Sequence, residues 1–381
     1  MTRPPTHAGL RVGFNARHLA DPEVRGLTRY TVCLLRSLSE MPNLELVLFC
    51  MDPPCPQHIE GIRAEVVTFG ASREFLWQYH ALPRMIHGRD ISVFHAPADR
   101  GLPFNKPCPL VVTVHDSYER THWRELFPLL KSKLWYWGQE LANCRADAML
   151  AVSDITRKTL VDLRVAPEAK IHRVYLAPAS EFQPAAAPSD QIVLQQYGIN
   201  SRYVLYVGGY DRRKNVDALV SAFDHANLPG HLLVVVARKQ WNYQVLLQRW
   251  NSLSCFPRLR LIEVSTEHIP ALYRQADFFV NPSLWESFSL QLVEAMACGT
   301  PILASNRTAI PEICNGAAVL FDPDDVSALT RLMERVSGDP GLKQELRGRG
   351  FQRVQMFSWR KTAEETVKIY RSLVHSRPSP A

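Results

Sequence analysis

Residues 282–325 read PSLWESFSLQLVEAMACGTPILASNRTAIPEICNGAAVLFDPDD, and the reading of this stretch decides the fold. Glu286 stands near its start, Ser287, Phe288 and Ser289 follow, and a second carboxylate, Glu294, falls inside an apolar run. The order predicts a strand, a tight loop and then a helix. Small residues entering a helix leave backbone amides unpaired at its first turn, where the helix dipole adds partial positive charge. An anion such as a diphosphate is held there without a cationic side chain. Glu294 would lie about a turn further in, and helical side chains lean toward the N-terminus, so it would reach a ribose hydroxyl beside the same diphosphate. Glu286, in the loop, would face whatever the far phosphate carries. Two glutamates at this spacing are by themselves most often solvated charges; the neighbouring residues make the pattern specific.

Working outward, strands are expected at 203–207, 232–237, 259–263 and 278–281, with helices at 214–226, 241–251 and 268–275 between them. Helices follow at 325–336 and 341–355, and a last one starts near residue 358. An earlier series has strands at 10–15, 44–50, 66–69, 91–95, 110–115 and 148–152, with helices at 28–39 and 74–87. Short apolar runs alternating with helical segments signal a parallel sheet covered on both faces. Pro128 suits the first turn of another helix, and Leu130, Leu134, Trp137, Leu141 and Cys144 recur at helical spacing, which predicts a core-facing helix with an aromatic edge. Trp and Lys content over 123–137 also suggests a membrane surface, but residues 117–147 carry five basic and four acidic residues, too even a balance for strong attraction. Residues 176–190, rich in Pro, Ala and Ser, read as a linker. The fold class is α/β: two Rossmann-like doubly wound parallel-sheet domains, 1–180 and 181–357, facing across a cleft.

The chain of 381 residues is comfortable for two cores. No apolar run approaches the ~20 residues needed to cross a bilayer, and the opening MTRPPTHAG lacks the apolar core of a signal peptide. The eight cysteines form no CxxC or Cys/His cluster, which argues for reduced thiols in the cytoplasm and against zinc. Lys plus Arg number 44 against 37 Asp plus Glu, a mild excess that suits phosphate-bearing ligands or an anionic membrane; no basic run suggests nucleic acid.

The second series opens YVLYVGGYDRRKN. Gly208 and Gly209 end its first strand and allow a backbone or ligand to approach closely, and Arg213 and Lys214 open the next helix. A lone Gly-Gly is more often a plain turn. Two cations after it, in the half that offers the 287–290 helix start, make a second contributor to one diphosphate site. The spacing is neither a Walker loop nor GxGxxG. Asp322 and Asp324 form an Asp-x-Asp pattern that metal-bound nucleotide sugars use; its place before a helix favours capping instead.

Together GGYDRRKN, ESFSLQLVE with EAMACGTPI, RGLTRY and TVHDS resemble glycosyltransferase family 4, retaining enzymes of the GT-B fold. The resemblance covers nearly the whole chain, including FSWRKTAEETVKIYRSL at the end, and implies that the helix of 358–381 packs back on the first domain. It implies that Arg213 and Lys214 neutralise a donor diphosphate, Glu286 contacts the transferred sugar, and Glu294 holds the ribose. Amides of Phe288, Ser289 and Leu290 would hold the distal phosphate. His115 would lie near the donor sugar and Gly26 in a loop facing the diphosphate; without the resemblance, His115 reads as a strand-end histidine bonded to backbone or Asp116. Ser289 stands where the family commonly has glycine, which narrows the space for sugar or phosphate.

The resemblance further implies a same-face reaction in which the leaving phosphate helps deprotonate the acceptor, with no side-chain nucleophile, cofactor or metal. The expected donor is a GDP- or UDP-sugar, with mannose the first choice. The acceptor is a glycan or lipid-linked saccharide of surface polysaccharide synthesis, handled in the cytoplasm with peripheral association at the membrane face. Alternatives on the same fold are a nucleotide-sugar-binding protein without turnover, a nucleotide-sugar epimerase or a phosphorylase. A glycosidase using Glu286 and Glu294 would leave Arg213 and Lys214 without a role.

Overall fold

The computed structural model describes residues 9–23, 26–70, 76–100, 102–103, 105–126, 129–238 and 243–375. Residues 1–8 of the opening segment, Arg25, positions 74–75 and 241–242 of two expected helices, Pro128 and the tail beyond 375 lie outside these. Seven strands form one sheet: β1 (Leu10–Asn15), β2 (Leu44–Cys50), β3 (Glu65–Thr68), β4 (Val93–Ala96), β5 (Leu110–Val114), β6 (Ala148–Ala151) and β7 (Ile171–Arg173). Six form the other: β8 (Tyr203–Val207), β9 (Leu232–Val236), β10 (Leu259–Ile262), β11 (Phe278–Asn281), β12 (Ile302–Ser305) and β13 (Val319–Phe321).

Both sheets are parallel throughout, in the orders β3-β2-β1-β4-β5-β6-β7 and β10-β9-β8-β11-β12-β13. Every residue of β4, β5, β6 and β9 is buried, as expected of strands covered on two faces. In each sheet the chain moves outward over three strands and then returns to the other side of the first. The reversal lies between β1 and β4 in one and between β8 and β11 in the other. Loops leaving the C-terminal ends of strands at such a reversal diverge and leave a crevice for ligands.

The chain divides into two compact units. One comprises the described residues through Leu176 together with those from Ser358 onward, and the other is Ala177–Phe357. The boundary expected at 180 thus falls at 176. In the first unit the Trp359–His375 helix packs against the Gly26–Ser39 helix. Thr362 Oγ1 donates to the Tyr175 carbonyl at 2.7 Å, and the Tyr370 hydroxyl is hydrogen-bonded to His95 Nδ1 in the core.

Three local expectations are corrected. The 176–190 segment lacks regular structure until the Asp190–Gln196 helix, yet it is packed rather than loose. Ala177, Ala179 and Phe182 are buried, and Arg274 clamps the buried Asp190 carboxylate from Nε at 2.8 Å and Nη2 at 2.5 Å. Arg213 and Lys214 lie in a 3-10 turn, Arg212–Lys214, and Asn215, with φ of 54°, separates it from the Val216–His225 helix. The Leu130–Asn143 helix faces the opposite way from the expected one. Gln139, Glu140 and Asn143 are buried, whereas Leu130, Leu134, Trp137 and Leu141 are 73%, 65%, 54% and 62% exposed.

Candidate active site

Site residues of the second unit collect at the ends of β8 and β11. Gly208 leaves β8 with its amide bonded to the Val236 carbonyl at 3.0 Å. A Cβ there would stand 2.5 Å from the Tyr206 hydroxyl, which donates to the Gly209 carbonyl at 2.7 Å. The first glycine is therefore demanded by the protein's own tyrosine, and the turn it permits carries Arg213 and Lys214 round to β11. Arg213 Nε bonds Asp211 at 2.9 Å, and its carbonyl accepts the Leu284 amide at 2.7 Å, joining the two loops.

Lys214 Nζ donates to Glu286 Oε1 at 2.7 Å, both side chains largely shielded from water. Ser283 Oγ donates to the same oxygen at 2.8 Å, the Thr308 hydroxyl accepts the Glu286 amide at 2.9 Å, and the Glu286 carbonyl accepts from the Ala309 amide. Glu286 is thus held in one position by three segments of chain. A largely shielded lysine–carboxylate pair of this kind can exchange partners when a phosphate arrives, since the ammonium then has a second anion to satisfy.

The Leu290–Cys298 helix starts with Ser289 at its N-cap position, and no side chain caps it. No acidic residue lies in its first turn, so the positive end of its dipole is uncompensated by the helix itself. Ser289 has φ of 74°, a left-handed conformation that costs a non-glycine residue about 1–2 kcal/mol. The family's glycine at this place suits the backbone as well as the space. Ser289 repays part of the cost through its Oγ, which accepts from Asn281 Nδ2 at 2.9 Å. Glu294 is buried one turn further in, where the Tyr273 hydroxyl approaches its Oε2 at 3.4 Å. Ser287 and Phe288 are buried in the loop, and the Phe288 ring meets Phe357 edge-on at 5.8 Å.

In the first unit, His115 follows β5. Its Nε2 is 2.9 Å from the Pro97 carbonyl, and the Tyr30 ring packs edge-on against it at 4.4 Å. Desolvation lowers its pKa, with the Pro97 hydrogen bond, Asp99 and Asp116 pulling the other way. The bond to backbone is the one that a merely structural strand-end histidine makes. Gly26 is the first residue of its helix, with open space where a Cβ would stand and no acidic residue in the first turn. Arg17 and His18, which sequence reasoning passed over, line a small cavity with Leu27, Pro97 and Arg100. Burial, then Arg17, pushes the His18 imidazole down to about 3. A roomier cavity of about 700 Å³ opens at the opposite, N-terminal edge of this sheet, beside Arg11, Asn43 and Glu65, and contains none of the site residues.

The Asp-x-Asp pattern is engaged elsewhere. Arg307 Nη2 bridges Asp322 and Asp324 at 2.9 Å each, and the helix cap is the next residue, Asp325, whose Oδ1 accepts the Ala328 amide at 2.8 Å. The capping expectation holds for the segment, with the role moved to the third aspartate. Ser283, Thr308 and Asn281 were also missed: Thr308 acts through a tertiary contact, whereas Ser283, three residues from Glu286, and Asn281 Oδ1, which accepts the Ser283 amide, have local signals.

Two doubly wound parallel-sheet units, one with a lysine–glutamate pair and an uncapped helix start at its switch point, define the class as an α/β fold with a candidate ligand site. Comparison with known proteins makes the class specific. Residues 24–177 match the model of Glycosyltransferase Family 4, and residues 192–353 match that of Glycosyl transferases group 1. The chain belongs to this glycosyltransferase family. It is 30% identical over 233 residues to O-antigen chain mannosyltransferase B of Escherichia coli, covering 60% of this chain and 61% of that protein. It is 28% identical over 298 residues to the serotype-specific mannosyltransferase WbdA of the same species, covering 74% of this chain and 35% of that one. The chain therefore spans less than two thirds of either relative. Among solved structures, sucrose-phosphate synthase from Thermosynechococcus elongatus superposes with a TM-score of 0.75 at 20% identity, over 97% of this chain and all of that one, a likeness of fold.

Proposed function

We propose that the chain is a retaining glycosyltransferase that moves a hexose, mannose as first choice, from a GDP- or UDP-sugar to a glycan or lipid-linked saccharide. The observation that carries this reading is the part-buried Lys214–Glu286 pair beside the uncapped start of the Leu290–Cys298 helix. A leaving nucleoside diphosphate gains charge as the glycosidic bond breaks. Lys214, Arg213 and the first-turn amides are preorganised donors for that charge, each such donor being worth about 3 kcal/mol of barrier. Releasing Lys214 to phosphate frees Glu286 Oε1 for sugar hydroxyls, and Glu294 takes the ribose. These residues do the neutralising a divalent metal would do, so no metal enters the reading. His115 and Gly26 are assigned to donor sugar and diphosphate on the family resemblance. Mannose rests on the relatives' names, and the acceptor class on the same relatives. The setting is cytoplasmic and peripheral to a membrane, without nucleic acid; among the described residues no helix is long and apolar enough to cross one.

Thermal-shift screening with GDP and UDP, followed by assay of diphosphate release from the best donor, tests the reading. GDP or UDP should raise the melting temperature, and transfer should follow. Stabilisation without transfer would favour a nucleotide-sugar-binding protein, and no stabilisation by any nucleotide would remove the proposal. Lys214→Ala should lower kcat about 100-fold while the circular dichroism spectrum is kept. Near-normal turnover would contradict its role.

A further inference from the structure

The Leu130–Asn143 helix presents its apolar side to solvent. Leu130, Leu134, Trp137 and Leu141, at positions i, i+4, i+7 and i+11, form one line along it, and Leu129, its N-cap residue, and Leu126, the last residue of the separate Trp123–Leu126 helix, precede it in the chain. All six are exposed. The Trp137 ring packs edge-on against Trp123 at 5.4 Å, which adds an aromatic border of the kind that sits at lipid headgroup depth. Scattered exposed leucines need no explanation, but a contiguous apolar stripe marks an interaction surface.

The charges around it identify the partner. In sequence the region is nearly balanced, but the structure removes most of its acids from the account. Glu140 is buried and paired with Arg120 at 3.0 Å, Asp147 is paired with Lys106 at 2.8 Å, and Glu119 is paired with Arg100. Among the described side chains of residues 117–147 this leaves Arg124, Lys133 and Arg145 against Glu125. A cationic rim around an apolar, aromatic-edged helix complements an anionic bilayer surface. A second copy fits less well, because a two-fold contact through this stripe would bring the same cations against each other. The helix has 14 residues, about 21 Å at 1.5 Å each, too short to span.

We propose that this face docks on anionic phospholipid, with the helix axis in the plane of the membrane and the leucines at the acyl boundary. The proposal deepens the peripheral-membrane part of the functional reading by naming its surface. It is tested without any sugar donor, so vesicle binding and transfer can fail separately. The full chain is floated with vesicles of phosphatidylglycerol and phosphatidylethanolamine, or of phosphatidylcholine alone, at low and raised sodium chloride. Expected are preferential binding to the anionic vesicles, weakening by salt, and a loss of at least tenfold in partitioning for Leu130→Gln, Leu134→Gln and Leu141→Gln combined. Combined Arg124→Gln, Lys133→Gln and Arg145→Gln should lose most of the salt-sensitive part. All six side chains lie outside the core, and unchanged thermal melts would establish that the variants fold. Absence of binding to anionic vesicles, binding undiminished by the leucine changes, or a dimer in light scattering that those changes dissolve would each overturn the proposal.

Discussion

Two helices with apolar recurrence in their sequences ended in opposite circumstances. From Leu292 to Cys298 the Leu290–Cys298 helix is buried at every position, Glu294 included. The Leu130–Asn143 helix buries Gln139, Glu140 and Asn143 and exposes its leucines. The difference lies in what waits beneath each. Under the second helix is Arg120, itself buried, whose guanidinium meets Asp99 at 2.6 Å and Glu140 at 3.0 Å. Burial alone would lower its pKa; the two carboxylates outweigh that and raise it. Asn143 Nδ2 donates to the Asp99 carbonyl at 3.2 Å and completes the arrangement. Recurrence identifies a face of a helix, and the partners available in the rest of the molecule decide which way that face points.

The contrast can be broken most forcefully at Arg120. Arg120→Ala leaves Asp99 and Glu140 enclosed without their cation, a loss of about 3–5 kcal/mol in urea unfolding. A loss under 1 kcal/mol would mean that the ion cluster does not hold the helix. Next comes a matched pair of truncations. Leu292→Ala should cost about 2–5 kcal/mol, as a core cavity does, whereas Leu134→Ala should change stability by less than about 0.5 kcal/mol. Equal costs would show that both helices are buried alike. The smallest effect is at the helix start. Ser289→Gly removes the left-handed strain and also the Asn281 hydrogen bond, so it should raise Tm slightly, by a net gain of no more than about 1 kcal/mol. A clear fall in Tm would show that the hydrogen bond outweighs the backbone.

Much of the site was legible because its parts are close in sequence or carry local chemistry. ESFSLQLVE announces a loop, a helix start and two carboxylates within nine residues, and GGYDRRKN announces a turn with two cations. The Lys214–Glu286 contact itself, across 72 positions, was not written locally, and neither was Thr308, which holds the Glu286 amide from 22 positions away. The glycines were read as room for a ligand, yet Gly208 is required by Tyr206. The aperiodic 176–190 segment looked like a free linker because its anchors, Tyr273 for Phe182 and Arg274 for Asp190, lie far along the chain.

By itself the sequence determined the two parallel α/β series, the family, and the helix start that suits a phosphate. Each of these depends on residues within a strand, a turn or a few helical turns, where backbone geometry and side-chain periodicity act directly. Tertiary structure alone decided the pairing of Lys214 with Glu286, the anchoring of the 176–190 segment, and the outward turn of Leu130, Leu134 and Leu141. Those outcomes depend on which distant groups compete for burial and for charge partners, and local periodicity carries no record of that competition.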